Sequence, residues 1–140
     1  MKRCGHLNRD VSRVLARMGH TDSLVIADCG LPVPPGVECI DLAVALGEPA
    51  FLRVLDSVLA DFKVERAVFA TESRDHNPTV AARASRLAAD QVRVDHVSHE
   101  SLKELSRQAR AVIRTGEATP FANVVLYSGV IFGDVPRMRP

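Results

Sequence analysis

Short apolar runs alternate with segments of helical period along almost the whole chain, and that alternation points to an α/β layer architecture. The run Ser23 to Ala27 (Ser-Leu-Val-Ile-Ala) is unbroken and apolar, as in a strand covered on both faces, and Asp28 ends it. A sheet covered in this way needs a layer on each side. The expected fold is therefore a three-layer sandwich with a central, mostly parallel sheet flanked by helices.

The other elements can be placed in order. Asn8 is suited to cap a first helix whose Val11, Val14, Leu15 and Met18 share one face, with Gly19 as its left-handed stop. Three prolines stiffen Gly30 to Gly36 into a loop, since each lacks a backbone donor and fixes φ near −65°. Cys39 to Leu42 reads as a brief second strand, and Pro49 opens a helix with Phe51, Val54, Leu55, Val58, Leu59 and Phe62 at helical spacing. Arg66 to Thr71 reads as a strand. Asn77 and Pro78 then read as an N-cap and a proline in the first turn of a helix carrying Val80, Ala84, Leu87 and Ala88.

Val92, Val94 and His96 alternate with Arg93, Asp95 and Val97, a period of two that predicts a strand with one solvated face, near a sheet edge. Ser98 or Ser101 can cap the next helix, with Leu102, Leu105 and Ala109 facing inward, and Ser101 to Glu104 has capping-box spacing. Further strands are expected at Ala111 to Arg114, Val124 to Ser128 and Val130 to Phe132. With 140 residues there is material for one core, so a single α/β domain is expected over residues 1–132. Residues 133–140 show no period and are expected to fray as a C-terminal tail.

Composition narrows the functional classes. No stretch approaches the roughly 20 apolar residues that cross a bilayer, and Asn8, Arg9 and Asp10 interrupt the N-terminus before any signal-peptide apolar region, so a cytoplasmic protein is expected. The net charge is +1 with scattered basic residues, which lacks the electrostatic footprint for nucleic acid. Cys4, Cys29 and Cys39 form no C-x-x-C pair and are odd in number, so they read as reduced thiols. No H-x-x-x-H or H-E-x-x-H spacing, glycine-rich nucleotide loop or G-x-S-x-G elbow is present, so neither a metal nor a cofactor is expected.

Five histidines remain as proton carriers near neutral pH: His6, His20, His76, His96 and His99. From the residues alone, His20 is either a turn residue after the first helix or a catalytic group, and His76 either part of a cap or a functional side chain. His99 and Lys103 are four apart at a helix start, so one face can carry both toward a polar ligand or into solvent. Asp28, at a strand exit, is a further site candidate.

Larger patterns connect these positions. Gly19-His20-Thr21-Asp22 through Asp28-Cys29-Gly30-Leu31-Pro32-Val33-Pro34 resembles the N-terminal signature of the D-ribose pyranase family. His76-Asn77-Pro78, His99-Glu100 to Lys103, Val112-Ile113-Arg114-Thr115-Gly116-Glu117 and Pro120-Phe121-Ala122-Asn123 recur in that family's order, so the resemblance spans residues 1–132. Fucose mutarotases are related, but their loop after the strand aspartate differs from Gly30-Leu31-Pro32, which favours ribose.

The resemblance implies exchange between β-D-ribopyranose and β-D-ribofuranose, with His20 as acid/base and Asp28, His99, Phe121, Ala122 and Asn123 contacting sugar. Lys103 is an additional implied contact. The family commonly has tyrosine where this chain has Phe121, which removes a phenolic hydroxyl. The resemblance also implies a homodecamer of two stacked pentameric rings, each pocket completed by a neighbouring subunit, supplying furanose to a ribose kinase. Two alternatives stay open at this point: a mutarotase exchanging anomers of fucose or another sugar, and a sugar-binding protein without useful catalysis.

Overall fold

The computed structural model describes residues 1–133, so the expected tail lies outside the described residues apart from Gly133. The described residues form eleven elements: α1 (Arg9–Arg17), β1 (Ser23–Ala27), β2 (Glu38–Asp41), α2 (Phe51–Leu59), β3 (Val64–Ala70), α3 (Ser73–His76), α4 (Pro78–Ala89), β4 (Arg93–Val97), α5 (His99–Ser106), β5 (Ala111–Arg114) and β6 (Val124–Ser128). The strands form one sheet in the order β2-β5-β1-β6-β3-β4. The β2/β5, β5/β1 and β3/β4 pairs are parallel, whereas β6 runs antiparallel to both its neighbours, β1 and β3.

Alternation within the strands divides the core in two. Leu24 and Ile26 of β1 join Val11 and Val14 of α1, Phe51, Val54, Leu55 and Val58 of α2, and Val80, Ala84 and Leu87 of α4 in the larger cluster. Val25 and Ala27 point the other way, into a second cluster with Leu31, Val68, Val112, Val125 and Leu102 of α5. All five residues of β1 are buried, as the unbroken apolar run requires. Each large aliphatic side chain so buried contributes about 1.5–3 kcal/mol, and the two clusters lie on opposite faces of the sheet. The three-layer sandwich is therefore as expected.

Local chemistry sets the helix starts. Asn8 Oδ1 accepts from Asp10 and Val11 N–H, and Asn77 Oδ1 accepts from Val80 N–H ahead of Pro78. Between the two serines that could cap α5, the structure selects Ser98, whose Oγ accepts the Ser101 N–H at 3.1 Å.

Some expectations need correction. Gly19 is not left-handed: the chain leaves α1 through an extended Met18, Asp22 Oδ2 takes the Gly19 N–H at 2.8 Å, and the positive φ of 68° falls on Thr21. Val130 to Phe132 is not a strand, because pairing ends where Gly129 N–H meets the Lys63 carbonyl, and Ile131 and Phe132 are exposed. Phe62 and Ala109 lie past the ends of α2 and α5, yet both still pack inward. The one-turn helix α3 has no counterpart in the sequence pattern, since four residues are too few to display a period. No helix among the described residues is long and apolar enough to cross a membrane.

Candidate functional site

Because five of the six strands run the same way, their C-terminal ends share one edge of the sheet, where α/β folds collect ligand-binding loops. A cavity of about 280 Å3 opens there, lined by residues 28–31 after β1, His99 after β4, and residues 117–121 between β5 and β6. The reversed β6 brings residues 121–123 to this same edge as they enter the strand, so chain exits and one chain entrance meet at the cavity.

Asp28 is held on three sides. Its backbone N–H donates to Asn123 Oδ1 at 2.9 Å, its Oδ2 accepts from Asn123 Nδ2 at 2.9 Å, and its Oδ1 accepts from Gly30 N–H at 3.0 Å. Asn123 is fully buried. A buried amide satisfied at both ends fixes the carboxylate in one orientation at the cavity wall.

Phe121 forms part of another wall and sits at φ 62°, a left-handed backbone that is strained for a bulky residue. Its ring meets the His99 ring edge-on, with centroids 5.2 Å apart at 82°, and tilts against His76 at 5.7 Å. His99 Nδ1 is buried without a hydrogen-bond partner among the described residues. Leaving such an atom unpaired costs about 1–3 kcal/mol.

The loops around the cavity are braced by β5 and the residues just beyond its end. Arg114 donates from Nε to the Cys29 carbonyl at 3.1 Å and from Nη1 to both Asp41 oxygens, which stitches the ends of β1, β2 and β5 together. Gly116 admits no side chain, since a Cβ there would lie 2.2 Å from the Glu48 carbonyl oxygen. Burial raises the pKa of the Glu117 carboxyl, but N–H donors from Thr119, Phe51 and Ala118 outweigh it and hold the group below the ordinary glutamate value. One Glu117 oxygen accepts from Phe51 N–H, so this side chain supplies α2 with the cap that Ala50 lacks.

Asp28, His99, Phe121 and Asn123 thus come together. Ala122 is fully buried in the larger core cluster and gives the cavity no side-chain wall. Lys103, one turn along α5, is paired with Glu100 at 2.9 Å and does not line the cavity. His20 lies elsewhere. It precedes β1, where Thr21 N–H bonds the Ser128 carbonyl, and its Nε2 is 2.9 Å from Oε2 of Glu65 on β3. Five strand residues at about 3.3 Å each place His20 roughly 16 Å from Asp28, at the opposite end of the sheet. Glu72, Asn77 and Glu117 also shape the cavity, although no spacing in the sequence marks them as site residues; His76-Asn77-Pro78 and the Val112 to Glu117 run carry two of them only as parts of the resemblance.

Comparison with known proteins bears on this arrangement. The RbsD / FucU transport protein family matches residues 1–131 of this chain. The chain belongs to the RbsD / FucU family. Among its relatives, the D-ribose pyranase of Chromobacterium violaceum is 65% identical over 132 residues, which cover 94% of this chain and all of that protein. The structure of Bacillus subtilis RbsD complexed with D-ribose matches with a TM-score of 0.89 at 44% identity, covering 93% of this chain and 98% of that one. The fucose mutarotase of Streptococcus pneumoniae, in complex with L-fucose, matches with a TM-score of 0.74 at 24% identity over 93% of this chain and 99% of that one, which shows a shared fold. The RbsD / FucU fold is thus common to proteins named for different sugars, and identity is higher on the ribose side.

Proposed function

We propose that this chain is a D-ribose pyranase, interconverting β-D-ribopyranose and β-D-ribofuranose by acid/base ring opening and reclosure. The observation that carries the reading is the 65% identity to a D-ribose pyranase along that protein's whole length. The cavity suits it: a carboxylate fixed in place and an aromatic ring offer an acceptor and a flat face to a small polyol.

The exchange needs a proton delivered to the ring oxygen as O1 loses its own, giving the open aldehyde, then attack of a different hydroxyl on C1 with the proton movements reversed. In this reading Asp28, His99 and Phe121 bind and orient the pentose, with Asn123 aiming Asp28 and Ala122 anchoring the segment from behind, which keeps the new nucleophile close to C1. Lys103 reaches the sugar by leaving Glu100. His20 carries the proton, a task worth about 100 to 10,000-fold in rate. Since His20 lies some 16 Å from its own chain's Asp28, we assign the acid/base of each site to the His20 of a neighbouring copy. The assembly we propose is a decamer of two pentameric rings, working in the cytoplasm. A subunit of 140 residues offers little depth, and a borrowed wall supplies it.

Magnetisation transfer between pyranose and furanose anomeric protons of ribose tests this directly. The protein should speed that exchange, and His20→Ala should abolish most of the gain while the assembly persists. Exchange between anomers without ring-size change would mean a mutarotase instead, and ribose binding with no acceleration a non-catalytic binder.

A further inference from the structure

The one-turn helix α3 touches both sides of the cavity through the residues at its two ends. Glu72 precedes it and makes no capping bond to it. Its Oε2 instead accepts the backbone N–H of His99 at 2.9 Å. That N–H is one of the first-turn donors of α5 which no carbonyl of its own helix can reach, and a carboxylate there also meets the positive end of the helix dipole.

Asn77 follows α3 and is 4% exposed. While its Oδ1 caps α4, its Nδ2 donates to the Pro120 carbonyl at 3.0 Å, which ties down the wall that carries Phe121. Ser73, fully buried, anchors the turn by donating from Oγ to the Ala70 carbonyl at 2.7 Å. Between the two walls, the Phe121 ring stands edge-on to His99. The imidazole is therefore set from its backbone by Glu72 and from its ring plane by Phe121, leaving the buried Nδ1 without a partner among the described residues.

We propose that Glu72 is a positioning residue for the sugar site, acting through His99, with α3 as the strut that spaces the His99 and Phe121 walls. This deepens the ribose reading above and rests on it. Glu72→Ala removes the acceptor, whereas Glu72→Gln retains a side-chain oxygen that can take the same N–H.

Two measurements test it. In the sugar-free protein, the imidazole NMR signals of His99, identified by their loss in His99→Ala, should shift in Glu72→Ala and return toward wild type in Glu72→Gln. In ribose titrations, Glu72→Ala should weaken binding about tenfold and Glu72→Gln by less than about twofold, while Glu72→Ala adds nothing once His99 is already alanine. Unmoved His99 signals, or equal losses with and without the imidazole, would overturn the proposal. A wild-type protein that fails to accelerate ribose exchange would sink the ribose reading alone, because the sugar-free signals judge Glu72 independently.

Discussion

Asn123 commits both ends of its amide to one neighbour, and that geometry gives it a purpose other than touching sugar. Its oxygen and nitrogen both bond Asp28, so its effect on a ligand passes through the carboxylate it aims. Asn123→Leu keeps much of the volume and deletes both bonds, leaving the Asp28 N–H without its acceptor. We expect a loss of about 1–3 kcal/mol in folding stability, seen as a lower urea midpoint, together with weaker ribose binding by titration. Unchanged affinity would show that Asp28 holds its orientation unaided. Asp28 itself is legible as a candidate from its place at a strand exit, whereas its partner lies 95 residues away and is marked only by family resemblance. Glu72 and His99, 27 residues apart, give no local sign of contact, because a bond between a side chain and a distant N–H leaves no periodicity.

Among the elements, those with a strong period or a capping residue can be read from the chain, as β1, α4 and the edge strand β4 illustrate. Strand order and the reversal of β6 cannot, because pairing direction depends on partners far apart in sequence and not on the pattern within one strand. The segment between β5 and β6 makes a prediction of its own. Glu117 has its folded-state pKa depressed below the ordinary 4.5, so its contribution is present above that value and is lost as pH falls through the depressed one. Wild type should therefore melt above Glu117→Gln near neutral pH, and the gap between their thermal midpoints should close as pH drops below 4.5. A gap that stays constant with pH would mean that the carboxylate charge does not anchor this segment or the start of α2.

For the whole molecule, the two ends of the sheet carry different chemistry: His20 beside Glu65 at one, the cavity with Asp28 and His99 at the other. If neighbouring copies complete one another, two crippled variants should repair each other. His20→Ala, which lacks the proton carrier, and Asp28→Asn, which binds ribose weakly, should exchange ribose faster together than either does alone after being dissociated, mixed and reassembled, with roughly a quarter of the sites intact for random mixing. A mixture no faster than either variant alone would place both residues of each site in one chain. On the roles proposed here, the length of β1 also has a consequence for handling the protein: a solitary copy owns every part and no finished site. Turnover per chain should then decline on dilution, and a dilute sample should regain it when reconcentrated.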